Sequence, residues 1–303
     1  MLQFPEGLKK QAPEKAEELE SQGHVVYVSA SSCFGACDLC LDEAGKVGAE
    51  KIIHFGHSKF MEVKGKIKIE YNECFSEVDW KACSKMLKKA ASFLKKEKAG
   101  KVSLVFPVQH AKNAQKVQNL LEKCGISVKL GKGGKHTQHK GQVLGCDSSA
   151  AKVPGVNALV YFGGGNFHPL ALPKNMPVLC ANPHINDCYF INEEIAKAEK
   201  RRKGALLAAS QASSFGILVS TKCGQMNLKA AKITKKLLEK KGKQVVLLVA
   251  NELSPSSISN FTGIGAYINT ACPRIRDDSE SFGKPVVNVA DIKRLAELID
   301  AQK

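Results

Sequence analysis

Cys33-Phe34-Gly35-Ala36-Cys37-Asp38-Leu39-Cys40 sets three thiols on a short glycine-containing turn, directly after the apolar run His24-Val25-Val26-Tyr27-Val28-Ser29-Ala30. That run reads as a buried parallel strand, because β-branched and aromatic residues follow one another with little polar alternation. The residues after the turn, up to Val47, read as a helix. Two readings of the thiols compete. Taken locally, C-x3-C-x2-C lets one loop offer three thiolates to a 4Fe-4S cluster, with one iron left open. Taken with the rest of the chain, only one of the three is a ligand and its partners come from distant turns.

Working outward, the same order of elements recurs. Before the turn lie a strand tail and turn at 2–7 and a helix over 8–22; after it come strands over 51–56 and 66–71, with His57-Ser58 where the first of these opens into a loop. A second round has a helix over 78–98, a strand over 101–106, a helix over 112–124 and a strand over 127–130. A Gly/His/Lys-rich loop over 131–139 then leads to a short apolar strand, 142–147, that ends on Cys146-Asp147. Strands over 156–162 and 177–181 finish that round. A third has a helix over 192–212, strands over 215–220, 244–250, 266–270 and 285–289, a helix over 228–241 and a C-terminal helix. This alternation predicts an α/β protein of three similar Rossmann-like domains with parallel sheets, spanning 1–76, 77–190 and 191–303. Each domain has a cysteine just beyond a strand, Cys37, Cys146 or Cys272, and open α/β sheets build their sites at the carboxyl ends of strands.

Composition narrows the function classes. A chain of 303 residues with 44% hydrophobic and 24% charged residues reads as soluble and globular. It has no apolar run of about 18 residues to span a membrane, and Met1-Leu2-Gln3-Phe4-Pro5-Glu6 is no secretory signal, so a cytoplasmic location is expected. In that reducing compartment eleven irregularly spaced cysteines are core thiols and ligands, not a disulfide framework. Cys83, Cys124 and Cys180 read as core thiols. The net charge of +16 is spread over helix faces, without an RNA-recognition signature or a row of stacking aromatics, and reads as a solvated surface in place of direct nucleic-acid binding.

The motif series Phe4-Pro5-Glu6-Gly7-Leu8, Cys33-Phe34-Gly35-Ala36-Cys37-Asp38, His54-Phe55-Gly56-His57-Ser58, Gly141-Gln142-Val143-Leu144-Gly145-Cys146-Asp147, Gly224-Gln225 and Asn269-Thr270-Ala271-Cys272-Pro273-Arg274-Ile275 resembles that of the diphthamide synthase family. These are the 2-(3-amino-3-carboxypropyl)histidine synthases, and the likeness is to the archaeal-type homodimeric member. It runs in order along nearly the whole chain. It implies a 4Fe-4S cluster at the centre of the three domains, held by Cys37, Cys146 and Cys272. It further implies S-adenosylmethionine as co-substrate, translation elongation factor 2 as protein substrate and a one-electron reductant. The group transferred is 3-amino-3-carboxypropyl, to carbon 2 of a histidine imidazole. Compared with the family, the first domain looks trimmed at its N-terminus, and Cys40 and Cys223 stand where the family has no cysteine.

For the co-substrate, the planar fork of Arg274 suits a methionyl carboxylate. Gln225, on a strand-to-helix turn, can hydrogen-bond the same end, and His57 is a third candidate contact. No side chain is assigned a catalytic proton transfer. Two rivals stay open. One is a quinolinate-synthase-like enzyme that uses the open iron of a 4Fe-4S cluster as a Lewis acid. The other is a basic RNA- or ribosome-binding protein with structural or zinc-binding cysteines.

Overall fold

In the computed structural model residues 1–302 are described, the side chain of Asp278 excepted. The chain divides into two compact units, Met1–Glu193 and a second from Glu194 onward. Among the described residues no helix is long and apolar enough to cross a membrane.

The first unit contains two sheets. Strands β1 (Leu2–Gln3), β2 (Lys51–Phe55) and β3 (Lys68–Asn72) form a parallel sheet in that order. Helices α1 (Ala12–Ser21) and α2 (Leu41–Lys46) lie between β1 and β2 in the chain. The single helix expected over 8–22 is instead a 3-10 segment, Glu6–Gln11, running into α1. Pro13, at the start of α1, has no N–H to give to an α-ladder continuing from Leu8.

The strand expected over 24–30 does not form as a ladder. Val28 makes one parallel bridge to Leu2, and Val25 is 80% exposed. The physical reason is the partner's length. β1 has two residues, and Leu2 alone supplies both bonds, its N–H to the Tyr27 carbonyl at 2.7 Å and its carbonyl to the Ser29 N–H at 2.9 Å. β-Branched composition marks a segment suited to a sheet, but a sheet needs a neighbour.

The second sheet has β4 (Lys101–Val105), β5 (Ser127–Lys129), β6 (Ala158–Phe162), β7 (Val178–Asn182) and β8 (Asp187–Phe190), ordered β5-β4-β6-β7-β8. All neighbours are parallel except β8 with β7. The unexpected β8 follows β7 after Pro183-His184-Ile185-Asn186, too short for a crossover, so the chain can only fold back antiparallel. Helices α3 (Trp80–Lys96) and α4 (Ala114–Lys123) cover this sheet. In α3, Cys83, Met86, Leu87, Ala90, Ala91 and Leu94 recur at helical spacing on the buried face, against Val102, Leu104, Val160 and Phe162 of the sheet. Each such leucine withdrawn from water contributes about 1.5–3 kcal/mol. Asp79 caps α3 by accepting from the Lys81 and Ala82 N–H groups. The strand expected over 142–147 is reduced to two isolated bridges, Phe106 with Gln142 and Leu144 with Asp147.

The second unit holds a four-stranded, wholly parallel sheet of β9 (Ser214–Ser220), β10 (Gln244–Ala250), β11 (Ala266–Asn269) and β12 (Val286–Asn288), ordered β10-β9-β11-β12. Its helices are α5 (Asn192–Ser210), α6 (Leu228–Lys240), the short α7 (Pro255–Ile258) and α8 (Ile292–Asp300). Phe215, Ile217 and Val219 of β9 pack with Leu206, Leu238, Leu295 and Ile299 of α5, α6 and α8. Arg202 on α5 donates to both carboxylate oxygens of Asp291, one bond at 2.9 Å, and to Glu199 at 2.6 Å.

Candidate functional site

Three turns carry the cysteines singled out above, each beyond the carboxyl end of a strand or bridged segment. Cys37 is half-buried on a turn closed by the Asp38 N–H donating to the Gly35 carbonyl at 2.9 Å. Gly35 leaves room at this thiol: a β-carbon there would lie 3.5 Å from Cys37 Sγ. The flanking thiols differ from it. Cys33 and Cys40 are buried, and burial pushes both thiols up to about 12, so each keeps its proton at neutral pH. Cys40 donates to Met1 Sδ at 3.5 Å and packs with Ala44 and Ile52.

The turn is held from below by Gln3. Its Nε2 donates to the Asp38 carbonyl at 2.7 Å, while its Oε1 accepts from the Cys40 N–H at 3.3 Å and from His54 Nδ1 at 2.8 Å. His54 Nε2 in turn meets His57 Nδ1 at 3.0 Å. Burial depresses both imidazoles far below their ordinary range and keeps them neutral. His54 stands in the motif 54–58, but its pairing with Gln3 escapes a motif reading, since the brace joins residues 51 apart. The only signal is a polar Gln3 between Leu2 and Phe4.

Cys146 is exposed on a tight turn in which Leu144 and Asp147 exchange backbone bonds at 2.8 and 3.2 Å. The turn grows from the end of β4, where the Phe106 N–H donates to the Gly141 carbonyl and its carbonyl accepts from Val143. Gly141 is required there: φ is +82°, and a β-carbon would lie 2.7 Å from the Phe106 ring. The preceding glycine-rich loop is docked by four side chains. His136 stacks on Phe60 at 3.9 Å, Gln138 donates to the Lys59 carbonyl, His139 contacts Glu73 at 2.8 Å, and Gln142 donates to Ser58 Oγ at 2.7 Å. The loop of Cys146 and the segment after His57 are thereby hydrogen-bonded to each other.

In the second unit Cys272 is half-buried, between β11 and a 3-10 segment, Pro273–Phe282. Burial raises its thiol, against the N–H groups and charge of Arg274 nearby. Asn269 holds this turn by donating to the Cys272 carbonyl at 2.7 Å and to Asn288 Oδ1 at 2.8 Å, while accepting from the Ala271 N–H at 3.0 Å. Arg274, 8% exposed, pairs with Asp277 at 2.5 Å. Gln225 lies half-buried on the turn after β9, its N–H donating to the Lys222 carbonyl at 2.9 Å. β9 and β11 are neighbours, so the turns of Gln225 and of Cys272 and Arg274 open at the same sheet edge.

The arrangement offers sulfur ligands, a guanidinium beside one of them, and neutral imidazoles. The family model described as "Putative diphthamide synthesis protein" matches residues 4–300. The chain is 33% identical over 298 residues to the 2-(3-amino-3-carboxypropyl)histidine synthase of Pyrococcus horikoshii, covering 97% of this chain and 84% of the relative. It is 28% identical over 308 residues to the synthase of the same name from Methanocaldococcus jannaschii, at 97% and 83% coverage. Subunit 1 of the enzyme of that name from Caenorhabditis elegans matches at 27% over 296 residues, 94% of this chain and 72% of the relative. Among solved structures, Dph2 from Pyrococcus horikoshii superposes with a TM-score of 0.89 at 31% identity, over 98% of this chain and 85% of that one. The same protein with a 4Fe-4S cluster superposes equally well.

Proposed function

This chain belongs to the diphthamide synthesis family and is a 2-(3-amino-3-carboxypropyl)histidine synthase, and from that premise we propose how its own residues carry the transfer. Cys37, Cys146 and Cys272 hold a 4Fe-4S cluster, S-adenosylmethionine supplies the 3-amino-3-carboxypropyl group, and carbon 2 of a histidine of translation elongation factor 2 receives it. The donor chemistry fits the cluster: three sulfurs, none of them fully buried, stand on turns with their own backbone bonds, whereas Cys33 and Cys40 are buried. Held by these three cysteines, a 4Fe-4S cluster would supply the one-electron reducing chemistry that cleavage of the sulfonium–carbon bond needs.

The side chains bind and orient. Arg274 presents its planar guanidinium to the methionyl carboxylate, and Asp277, paired to it, sets the orientation of that fork. Gln225, at the same sheet edge, hydrogen-bonds the amino-acid end. His57, just beyond the end of β2, is a third contact for the co-substrate. We further assign the working form as a homodimer in the cytoplasm, served by a one-electron donor. The chain is not a nucleic-acid binder in this reading, and its surplus lysines face solvent or the protein substrate.

One observation carries the reading: the three cysteines of the motif series stand on hydrogen-bonded turns, Cys272 past β11 and Cys37 and Cys146 beyond or within segments joined by isolated bridges. The test is anaerobic incubation of the iron-loaded protein with elongation factor 2, S-adenosylmethionine and dithionite. The expected products are one added 3-amino-3-carboxypropyl mass on a single histidine and methylthioadenosine. Release of 5'-deoxyadenosine would return the cluster to the local three-thiol turn. A protein that binds no iron would overturn the reading.

A further inference from the structure

We propose that Cys33, His54 and His57 form a binding site for one zinc ion, separate from the three cysteines assigned to the cluster. One ring nitrogen of each histidine and Cys33 Sγ all lie within 4.8 Å of one another. His54 is fully buried, Cys33 is 2% exposed and His57 is half-buried.

The hydrogen bonds assign the tautomer. Gln3 Nε2 must face the Asp38 carbonyl, an acceptor, and Gln3 Oε1 must face the Cys40 N–H, a donor. The atom that meets His54 Nδ1 is therefore an oxygen, so Nδ1 carries the proton and Nε2 is left with its bare lone pair. That lone pair is aimed at His57 Nδ1, 3.0 Å away, with the Cys33 thiol beside both. This is the outer-sphere arrangement of a metal-binding histidine, in which the far nitrogen donates to a carbonyl-type oxygen and the near one ligates.

Without an ion, a proton on His57 Nδ1 bridges the two rings. On binding, that proton moves to the other nitrogen of His57 and the Cys33 thiol loses its own, so one proton is released per ion. Two imidazoles and one thiolate suit a borderline-soft ion over a hard one, and zinc accepts three protein ligands with water in the fourth place. The half-buried edge of His57 gives water that access. A bound ion would pin the Cys33 end of the turn to the end of β2, and so steady the turn that carries Cys37.

The test uses the full chain, purified anaerobically with its iron in place, so that Cys37, Cys146 and Cys272 are occupied. Zinc is added and the excess removed, then zinc is counted and its ligands read by X-ray absorption at the zinc edge, which iron does not mask. Expected are about one zinc per chain, one sulfur at about 2.3 Å and two nitrogens at about 2.0–2.1 Å. About one proton should be released per zinc. Cys33→Ala and, independently, His57→Gln should each lower zinc affinity tenfold or more, with iron content held in Cys33→Ala. No retained zinc, a shell of three or more sulfurs, or full zinc binding by Cys33→Ala overturns the site. None of these readouts depends on group transfer, so failure here is distinct from failure of the synthase reading.

Discussion

The turn of Cys272 is held by its own sequence neighbours, whereas the turn of Cys37 is held from far along the chain. Asn269, three residues before Cys272, ties its carbonyl and reaches Asn288 on the adjacent strand end. Gln3, by contrast, reaches Asp38 and Cys40 from β1, and is itself gripped by His54 from β2. Two of the three Asn269 bonds, to the Cys272 carbonyl and the Ala271 N–H, need no other strand. A remote brace exists only once the sheet has assembled, so the Cys37 turn inherits the stability of β1, the shortest pairing in its sheet.

The largest effect that can break this comparison is loss of the cluster itself. Cys37→Ala, Cys146→Ala and Cys272→Ala should each reduce bound iron and sulfide to background, because a cluster short of one thiolate is not retained. Cys33→Ala and Cys40→Ala should keep iron at the unsubstituted level, since neither is assigned to the cluster and both are buried in the turn. Iron and sulfide per chain, measured anaerobically, decide it. The reverse pattern would make the first turn self-sufficient and the comparison with Cys272 meaningless.

Next come the braces. Gln3→Leu leaves the Asp38 carbonyl, the Cys40 N–H and His54 Nδ1 without their partner, and each orphaned buried group costs about 1–3 kcal/mol. Asn269→Leu orphans the Cys272 carbonyl and the Ala271 N–H at a similar cost per group. Hydrogen exchange should place the loss from Gln3→Leu in the first unit and that from Asn269→Leu in the second. Equal loss in both units from either variant would show that the two turns do not respond separately.

The comparison also explains what the sequence discloses. The order of most strands and helices, the largely parallel sheets and the placement of Cys272 past β11 follow from short-range pattern, and so does Asn269 beside that cysteine. The brace on Cys37 does not, because nothing within ten residues of it names Gln3 or His54. The unformed ladder over 24–30 fails for the same reason, as its fate depends on the two-residue length of β1. β8 was hidden differently: Asp187-Cys188-Tyr189-Phe190 is too short to read as a strand without the turn that folds it back.

Acid should separate the units next. All eight histidines lie in the first unit, and three of them, His54, His57 and His110, are neutral by burial, His110 depressed to about 4. In the unfolded chain they bind protons below about 6.5. The unfolded state then holds more protons, so stability falls as pH drops from about 6.5 towards 4, by at most about 1.4 kcal/mol per pH unit for each histidine. Exchange rates at pH 7 and pH 5 should show the first unit loosening ahead of the second. A larger acid effect in the second unit would refute this histidine account.

The smallest effect sharpens the comparison at the thiol itself, through two glycines that flank ligands in the first unit. Gly141 precedes the Cys146 turn at φ +82°, with the Phe106 ring 2.7 Å from any added β-carbon, so Gly141→Ala is strained in backbone and in packing. Gly35 has neither restriction. Its added methyl would meet only Cys37 Sγ, at an ordinary 3.5 Å. Gly35→Ala should therefore leave denaturant stability unchanged or raise it by up to about 1 kcal/mol, through the narrower unfolded ensemble. Iron retention should nevertheless fall modestly, because the methyl takes space beside the sulfur that a bound iron and its sulfides need. A variant as stable as the parent yet poorer in iron would mark Gly35 as room kept for a ligand sphere; unaltered iron would mean that the sulfur faces its metal from the other side.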